Sequence, residues 1–291
     1  MLNNFNVAGI LIISFVNSFV FPVKSYGQRT VADLITTSTV LINFPNIGSG
    51  SGILVTDSNY IFLVTARHVL FDFNVNTKDA TLIGNEAYLT LYTNNAYSDK
   101  KDSLRINLSI LNKNQDMLYD REHDIAIIRI AKVMSIKINS DKSVATKYNY
   151  LTGVTKAHTG NLALPSVFID LLLKLTNVDV GEETFMHGYP ESLKVESVFD
   201  FDRPLMRKGI VAGIDRKLET IVIDSPSYPG NSGGPVFELS YNLGKAPKLY
   251  SRIKILITSH ASVKEILQKK SNHREPLPVF VRQKHRLLYN I

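Results

Sequence analysis

The sequence predicts an all-β protein. Short β-branched and aromatic runs recur, among them Val40-Leu-Ile-Asn-Phe44, Ile53-Leu-Val55 and Ile61-Phe-Leu-Val64. Gly, Asn, Asp and Ser punctuate them, which is the pattern of an antiparallel barrel or sandwich. The run Ile125 to Ile130 is almost continuously apolar, so a strand there must be buried on both faces.

Taken in order, residues 1–27 stand apart. Val7 to Pro22 is apolar and Ser25-Tyr26-Gly27 offers small residues before a cut after Gly27, so the stretch reads as a secretory signal peptide, although no basic residue precedes Val7. The apolar segment is short for a membrane-spanning helix, so no stable span is expected after cleavage; a retained anchor is the rival reading. The Gly48-Ser-Gly-Ser-Gly52 run reads as a hairpin. A phosphate-cradling loop would need a following Lys-Ser/Thr and a helix, and neither is there. Phe71 to Asn76, Tyr88 to Tyr92 and Leu104 to Leu111 continue the strand pattern, with a polar loop over Asn94–Asp102. Val133 to Leu164 lacks a firm period and reads as a connection, and a helical turn is expected around Ser166–Leu175. Strands resume from Val180, through Leu205–Ile214 and Thr220–Asp224.

Three short segments carry chemistry. Tyr228 to Phe237 reads Y-P-G-N-S-G-G-P-V-F, where Gly230, Gly233 and Gly234 allow a tight turn beside Ser232. A serine alone is a weak nucleophile and needs a base. His68 ends the β-rich run Leu63-Val-Thr-Ala-Arg-His68, and Asp124 opens the apolar run at Ile125. Each residue alone has a bland explanation: a turn serine, a buried histidine, a capping aspartate. Their joint occurrence favours a triad.

The T-A-x-H, D-I-A and G-[DN]-S-G-G-P segments, in that order, resemble the signatures of chymotrypsin-like serine peptidases over about Ser38 to Phe237. The resemblance implies two antiparallel six-stranded β-barrels with a closing helix, here over Val263–Lys270. It implies His68 as base, Asp124 as its orienting acid, Ser232 as nucleophile, and the backbone N–H groups of Gly230 and Ser232 as oxyanion hole. The corresponding organisation is 28–150 for the first barrel, 151–179 for the connection, 180–262 for the second barrel and 263–291 for a basic helix or tail. Asn231 stands where digestive trypsin-like enzymes carry Asp, so activation by a newly freed N-terminus is not expected. The variant is similar to HtrA-like and glutamyl-endopeptidase-like bacterial enzymes. An HtrA protein carries a PDZ domain after the protease, and the stretch from Glu238 to Ile291 is too short for one.

Composition narrows the rest. There is no cysteine, so an exported chain must rely on its core, which resembles bacterial export to the periplasm or medium more than animal secretion. From Ser251 to Ile291 nine Lys or Arg face two Glu, so the tail holds the whole formal charge of +7. The body is near neutral, which argues against a nucleic-acid partner. His123 and His187 lack the i, i+4 spacing beside an acid that zinc peptidases use, so neither metal nor cofactor is expected. Pro226, six before Ser232, gives no sign of a charged pocket floor. The glycine expected in the last cleft strand, Leu249–Ser259, is missing. Two readings stay open: an exported serine endopeptidase acting on peptides or proteins, and a protease-fold binding protein whose C-terminal cleft is defective.

Overall fold

The structure, a computed structural model, describes residues 31–74, 76–77, 79–92, 101–121, 123–138, 144–157, 164–169, 172, 175–191, 200, 203–217, 220–240 and 252–256. The segment read as a signal peptide, the helix expected over Val263–Lys270 and most of the basic tail lie outside these residues.

A short helix α1 (Val31–Ser38) leads into β1 (Thr39–Phe44), β2 (Gly48–Thr56) and β3 (Tyr60–Thr65). A single turn, α2 (Arg67–Leu70), precedes the β4–β5 ribbon (Phe71–Phe73, Ala80–Leu82). Next come β6 (Glu86–Tyr92), β7 (Lys101–Asn107), α3 (Leu108–Lys113), β8 (Met117–Tyr119), β9 (Ala126–Ile138), β10 (Val144–Tyr150), β11 (Val154–Lys156) and β12 (Val167–Phe168). The later strands are β13 (Glu183–Gly188), β14 (Leu205–Asp215), β15 (Thr220–Asp224), β16 (Val236–Ser240) and β17 (Arg252–Leu256). The all-β expectation holds.

Six strands run consecutively in the first sheet, β9-β3-β2-β1-β6-β7, and β8, β10, β11 and β12 extend it to ten. The second sheet runs β15-β14-β13-β16-β17. β11 and β12 fall in the stretch read as a connection, yet both join the first sheet, and each sinks a valine, Val154 and Val167, into its apolar interior. The turn expected near Ser166 is thus partly strand, with Val167 and Phe168 paired parallel to Val55 and Thr56. The alternation over Leu104–Leu111 also breaks, because the Asn107 side chain accepts the Ile110 N–H at 2.9 Å and caps α3.

β3 and β9 explain the continuous apolar run. Leu63, Ile128 and Ile130 point into one cluster with Val40, Ile42 and Leu89. Phe62, Val64, Ile125 and Ile127 point to the opposite face, where they meet Ile53, Val55 and Phe237. Phe237 belongs to the second sheet, on the strand that follows the serine turn, and it stacks on Phe185 at 5.7 Å between centroids. Burying a side chain of this size contributes roughly 1.5 to 3 kcal/mol. The core that joins the two sheets therefore also fixes the root of the Ser232 turn.

Candidate active site

β3 ends at Thr65 and α2 makes one turn, which sets His68 beyond the sheet edge with its side chain 53% exposed. The loop from Asp120 to Ile125 brings Asp124 against it. Asp124 Oδ1 accepts the His68 backbone N–H at 2.9 Å and Oδ2 lies 2.6 Å from His68 Nδ1. A carboxylate can only accept, so Nδ1 carries the proton and a neutral ring leaves Nε2 free to take another. Partial burial pushes the Asp124 carboxyl up, but the hydrogen bonds from the His68 ring and amide and the nearby Arg67 charge prevail, holding it below the ordinary carboxylate range.

Ser232 sits in the turn between β15 and β16, half-buried. Gly230 and Gly233 adopt φ of 91° and 83°, a region L-residues with a Cβ resist. Space also demands glycine at both. A Cβ on Gly233 would overlap the Thr65 hydroxyl and the Ser51 carbonyl and come within 2.7 Å of the Ala66 nitrogen. A Cβ on Gly230 would overlap the Tyr189 carbonyl and come within 2.8 Å of the Glu191 nitrogen. The turn is therefore pressed onto the end of β3, three residues before His68. Among the described residues the Gly230 and Ser232 amides donate to no protein acceptor, whereas the Asn231 N–H between them is spent on the Tyr228 carbonyl at 3.1 Å.

Ser51 ties the turn to the first sheet. Its N–H donates to the Ser232 carbonyl at 2.8 Å and its carbonyl accepts the Thr65 hydroxyl at 2.6 Å. Its own hydroxyl donates to the Gly230 carbonyl at 2.7 Å and accepts the Tyr189 N–H at 2.9 Å. The Gly-Ser run is thus the second arm of a hairpin, paired antiparallel with β1 from Phe44↔Gly48 to Thr39↔Ile53. Its glycines let neighbours close in, since a Cβ on Gly50 would lie 2.6 Å from Val69 Cγ1.

A family model described as the trypsin-like peptidase domain matches residues 50–243, more than half of the sequence and all three motif segments. The chain belongs to the trypsin-like peptidase family. No curated protein matches it. Solved structures similar to this trypsin-like chain include Deg5, at 17% identity with 70% of this chain and 75% of that one covered and a TM-score of 0.41. A serine endoprotease from Yersinia pestis is similar at 14% identity, covering 81% and 63%, with a TM-score of 0.38. The HtrA-type protease AlgW with tripeptide is similar at 15%, covering 80% and 60%, with a TM-score of 0.42. The chain spans less than two thirds of the length of the latter two.

Within this trypsin-like frame, sequence reasoning passed over Ser51 and Arg67. Ser51 lies in a glycine-serine run that reads as a turn, and Arg67 has no signal but its place beside His68. The two other described histidines, His123 and His187, serve structure. His123 gives both its N–H, at 2.8 Å, and its Nδ1, at 3.0 Å, to Asp120 Oδ1. His187 is fully buried, and its Nδ1–H donates to the Thr39 hydroxyl at 3.1 Å, because that hydroxyl spends its own proton on the Ile35 carbonyl at 2.7 Å. Burial pushes His187 down to about 3, so it stays neutral. Among the described residues no group of His, Asp and Glu could hold a metal ion, and no helix is long and apolar enough to cross a membrane.

Proposed function

We propose that the protein is an exported serine endopeptidase that cuts peptide bonds through an acyl-enzyme on Ser232. The observation that carries this is the double hydrogen bond between Asp124 and His68, on a segment against which the Ser232 turn is pressed through Gly233 and Ser51. In the first step Ser232 Oγ attacks the peptide carbonyl carbon and passes its proton to His68 Nε2. The imidazolium so formed keeps its Nδ1–H on the ionised Asp124. The oxyanion gains hydrogen bonds from the Gly230 and Ser232 amides, which donate to no acceptor among the described residues. His68 then protonates the leaving nitrogen, the C–N bond breaks, and the amine departs. Water repeats the sequence on the ester and frees the acid.

The substrate is a peptide or protein. An extended segment binding beside the turn needs a strand edge, and β17 supports that: residues 252–256 pair with β16 from Val236↔Leu256 to Ser240↔Arg252. This pairing weighs against the reading of a binding protein with a defective cleft. Export to the periplasm or medium rests on the Val7–Pro22 segment and the absence of cysteine. The test is covalent labelling by a fluorophosphonate. The folded full-length protein should label and Ser232→Ala should not; a folded wild type that resists labelling overturns the proposal and favours the binding-protein reading. N-terminal sequencing of the exported protein should begin at Gln28.

A further inference from the structure

The residue before His68 does work that the motif does not assign. Arg67 Nη1 lies 2.7 Å from the Asp120 carbonyl, 2.9 Å from that of His123 and 3.2 Å from that of Arg121, so two guanidinium protons are shared among three carbonyls of the loop that ends in Asp124. The guanidinium carbon sits 3.5 Å from the centroid of the Phe73 ring, on the β4–β5 ribbon. One planar group thus joins three elements: the helical turn of His68, the ribbon beside it and the acid loop. These residues also border a pocket lined by Arg67, His68, Phe71, Phe73, Leu82 and Asp124.

Loops do not hold their depth by themselves. The Asp120–His123 stretch has its own cross-links, through the Asp120 side chain and the Asp120 N–H bond to the Ile125 carbonyl at 2.9 Å. Those bonds are internal to the loop. They fix its shape but not its distance from His68, whereas the Arg67 bonds run from the helical turn itself. Three peptide carbonyls converging on a cation would repel one another without it, and a loop that relaxed outward would draw Asp124 off the His68 ring.

We propose that Arg67 is a positioning residue, whose guanidinium sets the acid loop at the depth where Asp124 reaches both the ring and the backbone N–H of His68. Its part in turnover rests on the peptidase reading above; its part in the geometry does not. Lysine is a poor substitute, because an ammonium has neither the planar fork nor the flat face that Phe73 stacks against.

The test uses the full-length protein and reads the His68–Asp124 bond directly. A charge-assisted N–H at 2.6 Å gives a far-downfield proton resonance. In Arg67→Met that resonance should be lost, while circular dichroism and an unfolding midpoint report the fold. The fluorophosphonate labelling rate should fall about a hundredfold, the scale of a misplacement near 1 Å. Arg67→Lys should lose at least about tenfold. Phe73→Leu, which keeps the hydrogen bonds and removes the stacking face, should fall several-fold and serves if Arg67→Met does not fold. A wild-type resonance and labelling rate in the folded variants overturns the proposal. Should wild type show the resonance yet never label, the peptidase reading fails while the comparison of resonances still decides the role of Arg67.

Discussion

The main-chain N–H of Ser51 donates to the carbonyl of Ser232 at 2.8 Å, while the Ser51 hydroxyl bridges the Gly230 carbonyl and the Tyr189 N–H. One buried residue of the first sheet therefore holds both ends of the Gly230–Ser232 turn of the second. Besides the apolar core around Phe237, the two sheets are thus joined at the backbone of the proposed oxyanion hole.

Ser51→Ala should keep the main-chain bond and strip the hydroxyl bridge, leaving one carbonyl and one amide unsatisfied in the interior. The expected cost is roughly 1 to 3 kcal/mol in urea unfolding. Because the loss falls on the Gly230 side of the turn, fluorophosphonate labelling should slow as well. A variant as stable and as reactive as wild type would mean that the hydroxyl bridge carries nothing.

Gly233→Ala combines a positive φ with a Cβ that has nowhere to go against Thr65, Ser51 and Ala66. Backbone strain and overpacking each cost about 1 to 3 kcal/mol, together roughly 2 to 6. Gly213→Ala is the useful contrast, since a Cβ there meets nothing within 4 Å and its φ is not positive. Its unfolding midpoint should move far less.

Asp124 supplies an acid-side prediction. Its carboxyl is held below the ordinary range, so the folded state binds its proton later than the unfolded chain, whose value lies near 3.8. The stabilisation is fully present above about pH 5 and is lost as pH falls through the depressed folded value. Unfolding curves of wild type and Asp124→Asn should run parallel from pH 5 upward and converge on strong acidification.

His187 works over a higher window. It is held neutral to about 3 in the folded state, whereas an unfolded imidazole charges near 6.5. Between these values the unfolded chain carries the extra proton, so stability rises with pH there and falls on acidification, by at most about 1.4 kcal/mol per pH unit. From pH 6.5 to 5 the wild type should lose about 2 kcal/mol that His187→Asn does not. Equal losses in both would show that the buried ring is not the proton-refusing group.

Much of this was legible in one dimension. The alternation of β-branched residues and turn formers gave the all-β class, and the Ile125–Ile130 run announced a strand covered on both faces, which β9 is up to Ala131. The meeting of His68 with Asp124 was expected from the family resemblance alone, because the two lie far apart in the chain and no single short segment encodes their contact. The helix cap at Asn107 and the parallel pairing of Val167 with Val55 were not, since a polar residue in an alternating run looks the same whether it continues a strand or caps a helix.

By itself the sequence marked the side chains proposed to bring chemistry and the glycines that the serine turn requires, because those depend on residue type and on a few neighbours. Only the tertiary structure decided that Ser51 holds the serine turn and that Arg67 holds the acid loop. Both act through carbonyl oxygens and amide hydrogens of distant segments. Every residue offers those same atoms, so no pattern of letters marks which of them will be met.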